Sequence, residues 1–336
     1  MYKSKLTLKE TQQAIQDLKF AFTKKLNQEL KLTRVSAPLF VTSSSKINDG
    51  LNGDIPVIFS PNKWKENIEI VHSLAKWKRS ALSRYKFLPG EGLWTDMNAI
   101  RKDDEVDYKH SLYVDQWDWE LIINKDDRNL EFLKRIVGTI YKSIRYVENK
   151  INFKYPVLDQ KLPSEIKFIN SEELYREFPN VSPEERENIV AKKYKAVFIY
   201  KIGHTLPDGL PHSKRAFDYD DWELNGDIVF YDKVNDAALE ISSMGIRVDS
   251  DSLTKQAKIS RKKDSDMGEY HKLVLNQKLP YTIGGGIGQS RLSMFLLEKK
   301  HIGEVQASVW PDEHREFFWE RRSYFTIGGF SKISIK

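Results

Sequence analysis

The chain has 336 residues, 40% of them apolar, with 54 basic and 48 acidic side chains and a formal net charge of +6. That composition excludes a disordered polymer, and no apolar run approaches the roughly 20 residues a membrane helix needs. Cysteine is absent, which excludes disulfides, thiolate-held metals and a cysteine-dependent glutaminase.

Residues 1–10 lack an apolar signal core, so the expected location is the cytoplasm. No linker rich in Pro, Gly or Ser interrupts the chain, and one domain over residues 1–336 is expected. Thr7 and Glu10 form a capping-box pair, and Ile15, Leu18, Phe22 and Leu26 follow on one helical face. Residues 32–41 read as a strand that Pro38 confines to an edge or breaks. Short strands are expected at 55–59, after the hairpin signal Asn52-Gly53, and at 69–72. In the basic run 71–79, Lys78 and Arg79 either face a carboxylate or form a plain basic helix surface.

Residues 90–120 read as a hairpin: a strand ending in Arg101, an acidic loop, and a returning strand. Period two places Gln116, Asp118 and Glu120 on one face, either as a charged-substrate site or as a solvated sheet face. Leu130, Leu133, Val137, Ile140, Ile144 and Val147 mark a long amphipathic helix. Ser182, Pro183 and Glu185 mark another helix start.

Strands follow at 196–200, 228–231 and 239–242. Alternation puts Glu240 and Ser242 on one face, and Asp227 and Glu240 read either as carboxylates on neighbouring strands that hold Mg²⁺ against phosphates or as an exposed hairpin with a surface Glu. The acidic run 218–221 lacks the glycine of a calcium loop, since Glu223 stands there. Leu-Asn-Gly-Asp-Ile occurs at 51–55 and again at 224–228, which reads as two similar hairpin turns. The tail from about residue 317 has no clear pattern.

Residues 281–297 read as a strand, a glycine turn (Gly284, Gly285, Gly286, Gly288) and a helix with Arg291 in its first turn. Glycine lets backbone approach a flat or anionic ligand, and a helix start with a guanidinium suits phosphate. The plain alternative is a tight turn without a ligand. Dinucleotide and P-loop spacings both fail here. Helices and strands alternate without a βαβ rhythm, so the expected class is α+β with a largely antiparallel sheet.

Taken in order, three segments resemble the motifs of class II aminoacyl-tRNA synthetases, the aspartyl branch nearest. They are the Pro38 strand, the Arg101 hairpin returning through residues 113–118, and Gly284-x-Gly286-x-Gly288-x-x-Arg291. Residues 72–79, 115–120, 242–249 and 284–292 further resemble ammonia-dependent asparagine synthetase of the A type. The resemblance spans about residues 5 to 315. It implies a six- to seven-stranded antiparallel sheet flanked by helices, and a homodimer joined near Pro38. The implied reaction joins L-aspartate, ATP and ammonia through a β-aspartyl adenylate, giving L-asparagine, AMP and pyrophosphate, with no nucleic acid and no membrane involved. A tRNA-charging aspartyl enzyme would carry a barrel before the Pro38 strand, which already arrives by residue 38.

Carried onto this sequence, the resemblance implies that Asp49, Arg101 and Gln116 are catalytic. Asp49 would take the amino group of aspartate, with Ser73, Lys78, Gln116 and Ser243 also on aspartate. ATP would meet Arg101, Asp220, Glu240, Gly286, Gly288 and Arg291, with Mg²⁺ on Asp227 and Glu240. Asp49 or Asp118 would attract ammonium and accept its proton.

Overall fold

The computed structural model describes residues 2–50 and 54–314. Helix α1 (Leu8–Leu30) begins at the expected capping box: Thr7 Oγ1 accepts the Glu10 N–H, and the Glu10 carboxylate accepts the Thr7 N–H at 2.8 Å. The chain then forms β1 (Leu32–Arg34), leaves the main sheet, and forms β2 (Phe40–Thr42), β3 (Ile58–Phe59) and β4 (Ile68–Ile70) of a small sheet ordered β2-β4-β3. Pro38 lies between β1 and β2, where a residue without an N–H cannot extend a ladder. The predicted strand over 32–41 is therefore two strands in two sheets. The Asn52-Gly53 turn signal and the tail beyond 314 lie outside the described residues.

Helix α2 (Ala75–Arg84) precedes the hairpin of β5 (Gly92–Ile100) and β6 (Tyr113–Ile122). Helix α3 (Leu130–Lys154) follows, capped by Asn129. Next come β7 (Lys167–Asn170), α4 (Ser171–Glu177), α5 (Pro183–Tyr194), and β8 (Ala196–Tyr200). Long strands β9 (Asp220–Asp232) and β10 (Ala237–Arg247) lead to α6 (Ser250–Ile259), α7 (Glu269–Leu275), β11 (Thr282–Gly288) and α8 (Gln289–Leu296).

The main sheet has eight strands ordered β1-β5-β6-β11-β10-β9-β8-β7, and it is mixed. This corrects the expected six- to seven-stranded antiparallel sheet. The six inner strands are antiparallel, whereas β1 joins β5, and β7 joins β8, in parallel at the two edges. These edge strands are only three and four residues long, too short to show alternation.

One face of the sheet is apolar. Trp117, Trp119, Phe198, Phe230, Ile283 and Ile287 share a core with α1, α3 and α8. Alternation then turns Gln116, Asp118 and Glu120 to the opposite face, which carries the site. The second Leu-Asn-Gly-Asp-Ile copy is not a hairpin turn, because residues 224–228 run inside β9. A Cβ on Gly226 would lie 2.4 Å from the Ile199 carbonyl oxygen, so glycine there serves close strand packing.

Candidate active site

The glycine segment is strand throughout, which corrects the expected turn. Residues 284–288 pair with β6 on one side, and residues 284–287 pair with β10 on the other, at the sheet's centre. None of these glycines adopts a positive φ. What they supply is absent side chains: a Cβ on Gly284 would lie 2.0 Å from Glu120 Oε2, and one on Gly286 2.1 Å from Gln116 Oε1. The result is a flat backbone floor flanked by carboxylates and an amide. Helix α8 starts directly after it. One of its first-turn N–H groups is already taken, because the Ser290 N–H donates to Asp115 Oδ1 at 3.1 Å.

Two joined cavities lie on this floor. The larger, about 460 Å³, is lined by Arg101, His110, Glu240, Gly286, Gly288 and Arg291, among others. The smaller, about 220 Å³, is lined by Ser73, Lys78, Asp118, Arg215, Asp220 and Ser243, among others. Arg101, Asp104, Gln116, Glu240 and Gly286 line both and form the junction. The Arg101 Nη2 donates to the His72 carbonyl at 3.3 Å, and its Nε is buried without a partner. Arg291 Nη1 lies 3.6 Å from Glu240 Oε2. Partial desolvation works against the Glu240 charge, although its side chain is 44% exposed, and Arg291, Arg215 and Arg101 outweigh it and hold the carboxyl below its usual range.

The smaller cavity is built from compensated charges. Lys78 Nζ donates to Asp118 Oδ1 at 2.7 Å and lies 3.8 Å from Glu120 Oε2. Arg247 grips Glu120 with Nη2 at 2.7 Å and also bonds Asp220. Burial would raise the Glu120 carboxyl, yet Arg247 and Lys78 hold it low. Of the two cations expected to face a carboxylate, only Lys78 does. Arg79 is buried and donates to the Pro280 and Val248 carbonyls. Asp220, expected on ATP, lines only the smaller cavity: it opens β9 opposite Arg247, at the far end of the sheet from Gly288.

Asp49 and Asp227 line neither cavity. Asp49 is 1% exposed, and its Oδ2 accepts the Ala75 N–H at 2.8 Å. Its Oδ1 has no hydrogen-bond partner and sits 3.9 Å from Lys76 Nζ. Burial pushes its carboxyl up to about 6. Asp227 is also buried, its Oδ1 lacks a partner, and burial followed by Glu240 raises its carboxyl. A register shift between Glu240 and Ser242 breaks the simple alternation of β10. Glu240 therefore shares the cavity with Ser243, which pairs with Asp227 on β9. Ser242 instead donates to the Gly286 carbonyl at 2.9 Å, contrary to expectation.

Arg215 was not marked by any sequence pattern. It lies in the connection between β8 and β9, just before the acidic run, and donates to Asp220 Oδ2 at 3.2 Å. That run is no metal loop: Asp218 pairs with Lys76 and His271, Asp220 with Arg215 and Arg247, and Asp221 with Arg128.

The fold is similar to that of asparaginyl-tRNA synthetase from Pyrococcus horikoshii complexed with asparaginyl-adenylate. The TM-score is 0.66 at 15% identity, covering 90% of this chain and 70% of that one. Aspartyl-tRNA synthetase from Entamoeba histolytica matches at a TM-score of 0.62 and 14% identity, over 88% of this chain and 58% of that one. The eight-stranded sheet is thus that of a class II aminoacyl-tRNA-synthetase-like catalytic fold. Within that class the aspartate-ammonia ligase (AsnA) family model matches residues 9–322. The aspartate–ammonia ligase of Clostridium tetani is 54% identical over 322 residues, 95% of this chain and 94% of the relative. That of Fusobacterium nucleatum is 54% identical over 316 residues, 94% and 96% respectively. The chain belongs to the aspartate–ammonia ligase family, whose enzymes make asparagine from aspartate and ammonia with ATP.

Proposed function

We propose that this ligase activates the β-carboxylate of L-aspartate as an adenylate at the junction of the two cavities. The observation that carries this reading is the shared wall: Arg101 and Gln116 border both a large cavity holding Arg291 and a small, charge-lined one. ATP fits the first, and aspartate fits the second.

A carboxylate is anionic and has no good leaving group. Its oxygen attacks the α-phosphorus of ATP, the bond to the bridging oxygen breaks, and pyrophosphate leaves. Both partners are anions, so their repulsion must be offset by cations placed beforehand. Arg101, with its partnerless Nε, is the cation at the junction. Arg291, at the far end, takes the distal phosphates, and the flat floor of Gly286 and Gly288 accommodates adenosine. Ser73, Lys78, Gln116 and Ser243 hold aspartate. Asp118 takes over the amino group from Asp49 in this reading, because its Oδ2 is buried on the cavity wall without a partner.

Asp227 and Glu240 would hold a divalent cation such as Mg²⁺: one oxygen of Asp227 is orphaned, and the Glu240 charge opposes ionisation of Asp227 against the pull of Arg215. When bound, that ion would draw charge from the phosphates. Ammonia then attacks the β-carbonyl carbon, the bond to AMP oxygen breaks, and the amide sheds a proton. The strands of one sheet run from residue 32 to residue 288, which supports a single catalytic domain over 1–336. A homodimer near Pro38 and a cytoplasmic setting complete the reading.

The test is exchange of labelled pyrophosphate into ATP. Exchange that requires aspartate, and asparagine formation from ammonium chloride without tRNA, are expected. Exchange indifferent to aspartate would overturn the adenylate.

A further inference from the structure

With ATP in the larger cavity, aspartate must reach the smaller one from another side. A third cavity, about 580 Å³, offers that side. It shares Asp54, Lys214 and Arg215 with the aspartate cavity and no residue with the ATP cavity. Resting on the function proposed above, we infer that this vestibule is the entrance for L-aspartate, and that Lys214 and Lys262 are the cations that draw it in.

The walls come from separate parts of the chain. Lys214 and Arg215 belong to the connection between β8 and β9, Asp54 to the segment before β3, and Lys262 to the turn after α6. Lys214 and Lys262 are exposed, so their charges face the solvent from which a substrate arrives.

Three basic and two acidic side chains line the vestibule, and two of the five are engaged within the fold. Asp218 Oδ2 accepts from Lys76 Nζ at 2.8 Å and meets the His271 ring at 2.9 Å. Arg215 donates to Asp220 Oδ2 at 3.2 Å. Lys214, Lys262 and Asp54 have no ion-pair partner among the described residues. This unpaired set, two cations and one anion, is the inverse of L-aspartate, which carries two carboxylates and one ammonium. Asp54 and Lys214 both border the aspartate cavity, so the complementary pair stands where the two spaces meet.

A small cation finds the opposite. The two free lysines repel it. The aromatic wall does not offset them, because the Phe217 ring already stacks on His271, at 5.8 Å between centroids, and carries Lys262 Nζ 5.5 Å from its centre. Charges of one sign lining a cleft raise the arrival rate of the opposite charge by about 10–10³-fold.

The test is the association rate of L-aspartate with protein saturated with α,β-methylene-ATP, which fills the larger cavity. Equilibrium dialysis of labelled aspartate gives Kd, line broadening of carbon-13 aspartate gives the dissociation rate, and dividing the second by the first gives association. Lys262→Glu reverses a charge on a wall that does not reach the aspartate cavity. Association should fall about tenfold at roughly 20 mM salt and return to within about twofold of the parent at about 0.5 M, where the charges are screened. Lys233→Glu, in the turn between β9 and β10, makes the same change of net charge outside all three cavities and should match the parent. Aspartate-dependent pyrophosphate exchange at saturating aspartate, where entry no longer limits, should stay within about twofold and shows that each variant is folded. Should Lys262→Glu lose that exchange, Lys262→Gln decides in its place, with association about threefold slower expected. An unchanged association rate overturns the entrance, and so does an equal fall in Lys233→Glu or a loss that high salt does not restore. If the parent itself lacks aspartate-dependent exchange, it is the adenylate reading that fails.

Discussion

Two residues show how function can load a position with opposing demands. Asp49 is ionised in the unfolded chain above its ordinary value of 3.8, but burial lifts it to about 6 in the fold. A raised carboxyl costs stability as pH climbs: the penalty is absent below pH 4, grows between 4 and 6, and is complete above 6. Its full size is roughly 3 kcal/mol, at about 1.4 kcal/mol for each tenfold change in proton affinity. Asp49→Asn keeps an oxygen for the Ala75 N–H and removes the charge. The expected outcome is a higher Tm at pH 8, no gain at pH 4, and loss of ammonia-dependent turnover while pyrophosphate exchange persists. Scanning calorimetry at the two pH values checks the first part. An unchanged Tm at pH 8 would show that burial does not strain this carboxylate. Arg101 presents the reverse case. It makes one hydrogen bond to a carbonyl, so Arg101→Ala should leave the far-ultraviolet circular dichroism and Tm near those of the parent. Loss of a pre-placed cation should lower exchange by about 10²–10³-fold; near-normal exchange would remove Arg101 from the junction.

At the scale of elements, the sequence shows where packing is conventional and misleads where charge is buried. The caps of α1 and the stripe of α3 were legible because they face solvent and a generic apolar core. Helix α2 was legible only in part: Lys78 and Arg79 read equally as facing a carboxylate or as a basic surface, and Lys76, Lys78 and Arg79 are all at most 3% exposed. Their partners, Asp218 and Asp118 among them, come from distant segments, so no local pattern could announce them. Strand β11 misled in a different way. Clustered glycines usually signal a turn, but here the missing Cβ atoms of Gly284 and Gly286 make room for Glu120 and Gln116 of the neighbouring strand. Gly284→Ala tests that difference. Its new Cβ would fall 2.0 Å from Glu120 Oε2, and Glu120 cannot swing aside while Arg247 grips it. Overpacking of about 1–3 kcal/mol is expected, read as a lower urea midpoint at constant m. A glycine turn would instead have accepted alanine at little cost, so an unmoved midpoint would count against the strand.

Across the whole molecule, the sheet explains why the candidate site was readable and its boundaries were not. Motif residues on β5, β6, β10 and β11 converge because those strands are neighbours, although residues 101 and 291 are far apart in sequence. Arg215 escaped notice because it sits on an irregular connection, where side-chain direction follows no period. Strand β7 escaped because four residues are too few to show alternation, whereas β1 fell within the strand expected over residues 32–41. They close the sheet at its edges, and beyond β1 the surface stays apolar. Leu39, Phe40, Ile58 and Phe59 are 39–49% exposed, and the Phe40 and Phe59 rings meet edge to face at 5.7 Å. An apolar patch of this kind on an otherwise charged surface marks an interface. It adjoins Pro38, which is where a two-fold pairing of chains is expected. Sedimentation equilibrium should therefore give about twice the 39.3 kDa chain mass. Phe40→Asp should return the chain to its own mass, because a charge placed at the centre of a self-complementary patch is buried twice, once from each copy. Finding the parent chain monomeric at micromolar concentration, or Phe40→Asp still paired, would assign those side chains to some other contact.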